Sequence, residues 1–157
     1  MMDTTSGGQI HFPVLSIARD KTVVLFISQQ EFTTVIGKKD SIGEPIAGCL
    51  GMKVIDQDGN LFEVHEARKG RDLGSIYPGL SLVRFLSRAR RLEADLSLLF
   101  LGQISFDETK RLVVENLPSL RRSLTSVVGI DAESLPESIG EVKTFRELYS
   151  LLDPRLG

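Results

Sequence analysis

A chain of 157 residues with 41% hydrophobic and 25% charged side chains is long enough to bury a core without staples, and its mix excludes a disordered polymer. Its single cysteine, Cys49, excludes an internal disulfide and favours a reducing compartment. Net charge is −2 and excludes no partner class, but it is unevenly spread: −4 over residues 1–67, +6 over 68–91 and −4 over 92–157.

Residues 1–9 are polar, with neither the basic patch nor the apolar run of a signal peptide. They are expected to form a flexible tip ahead of a single α+β domain over 10–157. The longest apolar stretch, 96–101, is broken by Ser97 and is far shorter than the ~20 residues that cross a bilayer. These features point to the cytoplasm and away from a membrane.

Structure is expected from Ile10. Residues 12–18 and 22–28 are rich in Val, Ile, Leu and Phe and flank Arg19-Asp20-Lys21, which reads as a β-hairpin. Both strands are apolar on both faces, placing them centrally in a sheet, and Pro13 fits only a strand start or a free edge. Ser28 caps a short helix over 29–36, ended by Gly37. Residues 38–48 have no period and form a loop.

Residues 51–55 and 61–65 flank Asp56-Gln57-Asp58-Gly59-Asn60. A three-residue loop with Gly59 left-handed pairs Val54 with Phe62, Met52 with Val64 and Lys53 with Glu63, matching like with like. Residues 67–79, with three glycines and a proline, read as a loop. Residues 80–89 then suit a helix with Leu82, Phe85, Leu86 and Ala89 inward and Arg84, Arg88 and Arg91 outward. Leu92, Ala94, Leu96, Leu98 and Phe100 alternate with Glu93, Asp95 and Ser97, a half-buried strand ending at Gly102. The competing reading is one helix over 80–101.

Ser105 with Glu108 is a capping-box pattern ahead of a helix to Leu117, and Asn116 suits the cap of a second helix over 117–128. Residues 131–140 read as a loop. Thr144 with Glu147 repeats the capping box before a last helix over 145–152, stopped by Asp153-Pro154. Strands crowd the first two-thirds and helices the last third. The expected fold is α+β: a mostly antiparallel sheet of about five strands with mainly C-terminal helices on one face.

Chemistry is thinly signalled. No glycine set has the spacing of a phosphate loop. Asp56, Asp58 and Asn60 start like a calcium loop, but Leu61 and Ala67 occupy the positions that need glycine and glutamate, so a hairpin turn is the reading. His11, His65 and Cys49 are too few for a closed zinc site without carboxylates. A Cys49–His65 nucleophile pair is geometrically possible, yet nothing supplies an orienting third group. No catalytic residue, metal or cofactor is therefore assigned. The basic stretch offers Arg68, Arg71, Arg84, Arg88 and Arg91 as partner-binding candidates. Three readings stand for them: a solvated face paired with acids, a docking patch for an acidic protein surface, or phosphate contacts to nucleic acid. The sequence pI near 5.7 and the scarcity of aromatics in the stretch rank nucleic acid last.

The strand 50–55, the turn Asp56-Gln57-Asp58-Gly59-Asn60, then Phe62, Val64, Ala67 and Gly70, are preceded by a hairpin and short helix and followed by a late capped helix. This layout resembles small bacterial proteins encoded beside polymorphic or contact-dependent toxins as immunity proteins. The resemblance implies a non-enzymatic binder that occludes one toxin domain, and it carries over no site residues. The alternative is a small nucleic-acid-binding domain or an enzyme using the Arg68–Arg91 region near His65.

Overall fold

A computed structural model describes residues 2–5, 9–38, 46–75, 89–117, 120–122, 135–153 and 156. In chain order they form β1 (Met2–Thr5), β2 (Val14–Ile17), β3 (Val23–Phe26), α1 (Gln29–Thr33), β4 (Thr34–Lys38), β5 (Lys53–Asp56), β6 (Asn60–Ser75) and β7 (Ala89–Gln103). Then come α2 (Phe106–Glu115), β8 (Leu120–Arg122), α3 (Leu135–Glu141) and α4 (Phe145–Leu152). The architecture is α+β, with helices mostly C-terminal. No helix among the described residues is long and apolar enough to cross a membrane.

The strands run β1–β7–β6–β5–β2–β3–β8, with β4 also on β7. β2 to β7 pair antiparallel; β1 on β7 and β8 on β3 are short parallel additions. The antiparallel set therefore has six strands rather than about five. Laid flat, this order would set β4 five strand spacings from β3, roughly 24 Å. The link from Phe26 to Thr34, mostly the five-residue α1, reaches at most about 20 Å. The sheet therefore curls, bringing β3 and β4 within reach of the α1 link, and Phe32 of α1 sits in the fold, its ring against Phe12 and Phe26 at 6.2 and 5.2 Å.

Curling divides the core in two. Val14, Val54, Phe62, Val64, Ala94, Leu96 and Leu98 line the inside with Phe32 and Cys49. On the other face Leu15, Ile17, Val23, Leu25 and Ile55 pack against Val113, Ile139, Leu148, Tyr149 and Leu152 from the C-terminal helices. Tyr149 is fully buried, and its hydroxyl donates to the carbonyls of Ile55 (2.9 Å) and Asp56 (3.3 Å), tying α4 to β5.

Both hairpins form as expected. β2 and β3 flank the Arg19–Lys21 turn, and Pro13 directly precedes β2. Lys53 faces Glu63 and Val54 faces Phe62, with Gly59 at φ +82° and Val64 N–H donating to Met52. A side chain on Gly59 would also meet the Phe145 ring at 3.0 Å, so the turn requires glycine twice over. Residues 92–101 are strand, not helix.

Several expectations are corrected. Met2–Thr5, expected to be loose, pair with β7. Ser28 does cap α1, but the helix stops at Thr33, because Thr34-Val35-Ile36 are β-branched and find a partner in β7. The expected loop over 67–79 is strand as far as Ser75. Arg91 lies on a strand, not a helix; residues 80–88 of that expected helix lie outside the described residues. Asn116 ends α2 instead of opening a helix, and Leu120–Arg122 are strand where 117–128 was read as helical. Leu135–Glu141, read as loop, is helix; Pro136 in its first turn lacks only an N–H the helix does not need there.

Candidate functional site

The face that carries the C-terminal helices does not end where they do. Pairing partners share a face, so Ile17, Lys53, Glu63 and Leu99 form one row across β2, β5, β6 and β7. The helices cover the Ile17 end of that face. At the far end Leu99 is 40% and Leu101 43% exposed, and with Val114 they are the exposed large apolar side chains among the described residues. Leu101 is the extra residue of a bulge, between the pairs Leu61–Gly102 and Phe62–Phe100, and is pushed outward.

Polar side chains begin beside Leu99 and continue along β6 and β7. The Lys53 ammonium contacts the Glu63 carboxylate and holds it below the usual glutamate range. Arg68 pairs with Glu66 at 3.1 Å and stands opposite Asp95 in the ladder. Arg71 pairs with Glu93 at 3.0 Å, and Glu93 faces Thr34 on its other side. Here Gln29, Gln30, Thr33 and Thr34 of the α1–β4 corner, Arg71 and Leu73 of β6, and Glu93 of β7 line a groove of about 340 Å³. Gly70 allows β6 to lie close enough: a Cβ there would come within 2.6 Å of the Glu93 carbonyl oxygen.

One pleat further, Arg91 stands between Ile36 and Gly74. Neither offers an acceptor side chain, and the buried Arg91 Nε has no hydrogen-bond partner among the described residues. Thus Arg68, Arg71 and Arg91 of the expected basic patch share this surface, the first two already paired with acids. Arg84 and Arg88 lie outside the described residues. The leucines and the groove were missed from sequence, although the signal was present: Leu99 and Leu101 fall on the polar phase of the strand, after Glu93, Asp95 and Ser97.

The other candidates are placed apart. Cys49 is buried in the inner core, where burial pushes its thiol pKa up and away from nucleophile chemistry. His65 is exposed, the unpaired residue of a bulge between Val64–Leu98 and Glu66–Ser97. His11, Asp56 and Asp58 bring potential metal-ligating atoms within 4.8 Å of one another. Yet Asp56 is consumed by the turn: Oδ1 accepts from the N–H groups of Asp58 and Asn60, both at 2.9 Å, and Oδ2 from Asn60 Nδ2 (3.0 Å) and the His11 N–H (3.2 Å). With those oxygens saturated by donors, the cluster is a brace that ties residues 9–12 to the β5–β6 turn.

Compared with known proteins, the chain matches no family model, no curated protein and no solved structure.

Proposed function

We propose that this chain is a non-enzymatic protein-binding module, and that it binds through the uncovered β6–β7 part of its helix-bearing sheet face. One observation carries the reading: a sheet face sealed by helices at one end presents two leucines at the other, beside the Lys53–Glu63 pair, with the Arg68–Glu66 and Arg71–Glu93 pairs following along β6 and β7. An apolar centre with a polar rim is the anatomy of a protein contact surface. Burying the rest of each leucine is worth about 1–2 kcal/mol.

The nucleic-acid reading is less favoured, since acids on the same face offset the charge of Arg68 and Arg71 that phosphates would need. Occlusion of a toxin domain, the narrower role implied by the hairpin resemblance, would use this same surface.

The test compares affinity capture by the native chain and by a Leu99→Glu/Leu101→Glu variant, with bound proteins quantified by mass spectrometry. A partner held by the native chain should be lost from the variant, with affinity down by about 30-fold or more and an unchanged melting curve. Equal recovery of the same proteins by both chains would exclude this surface. The identity of the partner decides whether the toxin-binding role holds.

A further inference from the structure

We infer that the leucine surface continues onto a cationic spot formed by Arg19, Lys53 and His65, and that this spot receives an Asp or Glu side chain of the bound protein. The inference rests on the protein-binding reading and adds the chemistry of the partner.

Three features converge. First, Arg19 is set in place by a glycine. It is exposed at the start of the β2–β3 turn, and its guanidinium lies against Gly51. A Cβ added at Gly51 would come within 2.3 Å of Arg19 Nε and 2.9 Å of its Nη2. Gly51 stands at φ +78°, and its N–H donates to the Val64 carbonyl at 2.8 Å, so the guanidinium is brought down beside β6.

Second, one acid answers three basic side chains. Lys53 is bonded to the Glu63 carboxylate, and the charges of Arg19 and His65 also act on it. Arg19 and His65 are exposed, and neither makes a hydrogen bond to a side chain among the described residues. Nearby acids are engaged elsewhere: Glu66 holds Arg68 at 3.1 Å, and Asp20 accepts from the Thr22 N–H at 3.0 Å.

Third, the spot adjoins the leucines. Glu63 pairs with Lys53 on one side and with Leu99 on the other. A partner that buries Leu99 therefore brings its next side chains over Lys53 and Arg19, where an acid is charge-matched and a base is repelled. The planar fork of arginine suits a carboxylate. Glu66 and Asp95 follow along β6 and β7, so the positive charge is confined to one spot, which fits a single carboxylate better than a run of phosphates. Glu63 gives the inference a sign: it occupies Lys53 and repels an incoming anion, so removing its charge should tighten binding.

The experiment titrates ¹⁵N-labelled protein with the capped peptide Leu-Thr-Leu-Thr-Glu, whose leucines and acid share one face of an extended chain. The same peptide ending in Gln, the same ending in Lys, and a short oligothymidylate are the comparisons. The Glu peptide should shift the amides of Arg19, Lys53, His65 and Leu99 and bind about fivefold more tightly than the Gln peptide, with the Lys peptide weakest. Arg19→Gln should erase most of that preference without moving the melting curve, and Glu63→Gln should strengthen the Glu peptide about threefold. No shift with the Glu peptide, equal affinity for the Glu and Gln peptides, or a preference unchanged in Arg19→Gln overturns the inference. So does oligothymidylate binding these amides more tightly than the Glu peptide. If the inference falls while Leu99→Glu/Leu101→Glu still releases a captured partner, the leucine surface stands and only the carboxylate contact is lost.

Discussion

Asp56 shows how one buried carboxylate can organise a turn. Three of its four accepted hydrogen bonds come from within the β5–β6 loop and the fourth from the His11 N–H, while the exposed carboxylate of Asp58, in the same loop, takes the His11 imidazole. That hydrogen bond raises the His11 pKa above its ordinary 6.5, with the charges of Asp58 and Asp56 adding to it. Because the folded value exceeds the unfolded one, the stabilisation is complete below about pH 6.5 and fades as pH rises through the folded pKa. His11→Gln should therefore lower the melting temperature most near about pH 6, with the deficit narrowing towards about pH 9. A deficit that grows with pH would show that the charge of His11 contributes nothing. The turn itself was legible because Gly59 is where positive φ falls; the brace was not, because His11 is 45 positions away and no local pattern joins it to Asp56.

At the scale of elements, local signals were read correctly where the chain answers to itself. Ser105 accepts from the Glu108 N–H at 3.2 Å and Thr144 from the Glu147 N–H at 3.1 Å, the N-cap half of each expected capping box; the Glu147 carboxylate accepts from the Lys143 N–H, one residue ahead of the cap. Replacing either with alanine should cost about 1 kcal/mol in urea unfolding. Thr144→Ala should be the larger loss, since α4 cannot fray without uncovering Leu148, Tyr149 and Leu152. Equal or reversed costs would mean the cap acts on the helix alone. Misreadings occurred where distant partners decide. Gly70 and Gly74 looked like loop punctuation, but they serve bulges that let β6 continue past Lys69, one by close approach to β7 and the other by a φ of +92°. Thr33-Thr34-Val35-Ile36 is ambiguous alone, and β7 settles the latter part as strand.

For the whole molecule, the class and the two hairpins were visible in hydrophobic period and turn chemistry, whereas the curl was not. It depends on β3 and β4 being close in the chain and far apart in the ladder, which only the pairing of β4 with β7 reveals. The candidate surface shares that fate. Its residues come from α1, β4, β5, β6 and β7; Arg68, Arg71 and Arg91 stood out in the sequence through their charge, and Lys53 and Glu63 only as a cross-strand pair.

The central role of β7 also bears on how the protein comes off the ribosome. Met2–Thr5 and Thr34–Lys38 both lodge against a strand that begins only at Ala89. Two early segments thus wait, unmated, until more than half of the 157 residues have been made. Such long-range closure belongs to domains that fold on the order of milliseconds to seconds, and it leaves bare strand edges open to chaperones or to neighbouring nascent chains. A truncation ending at residue 88 should give no cooperative thermal transition by circular dichroism. A sharp transition there would show that the early segments find their places without β7.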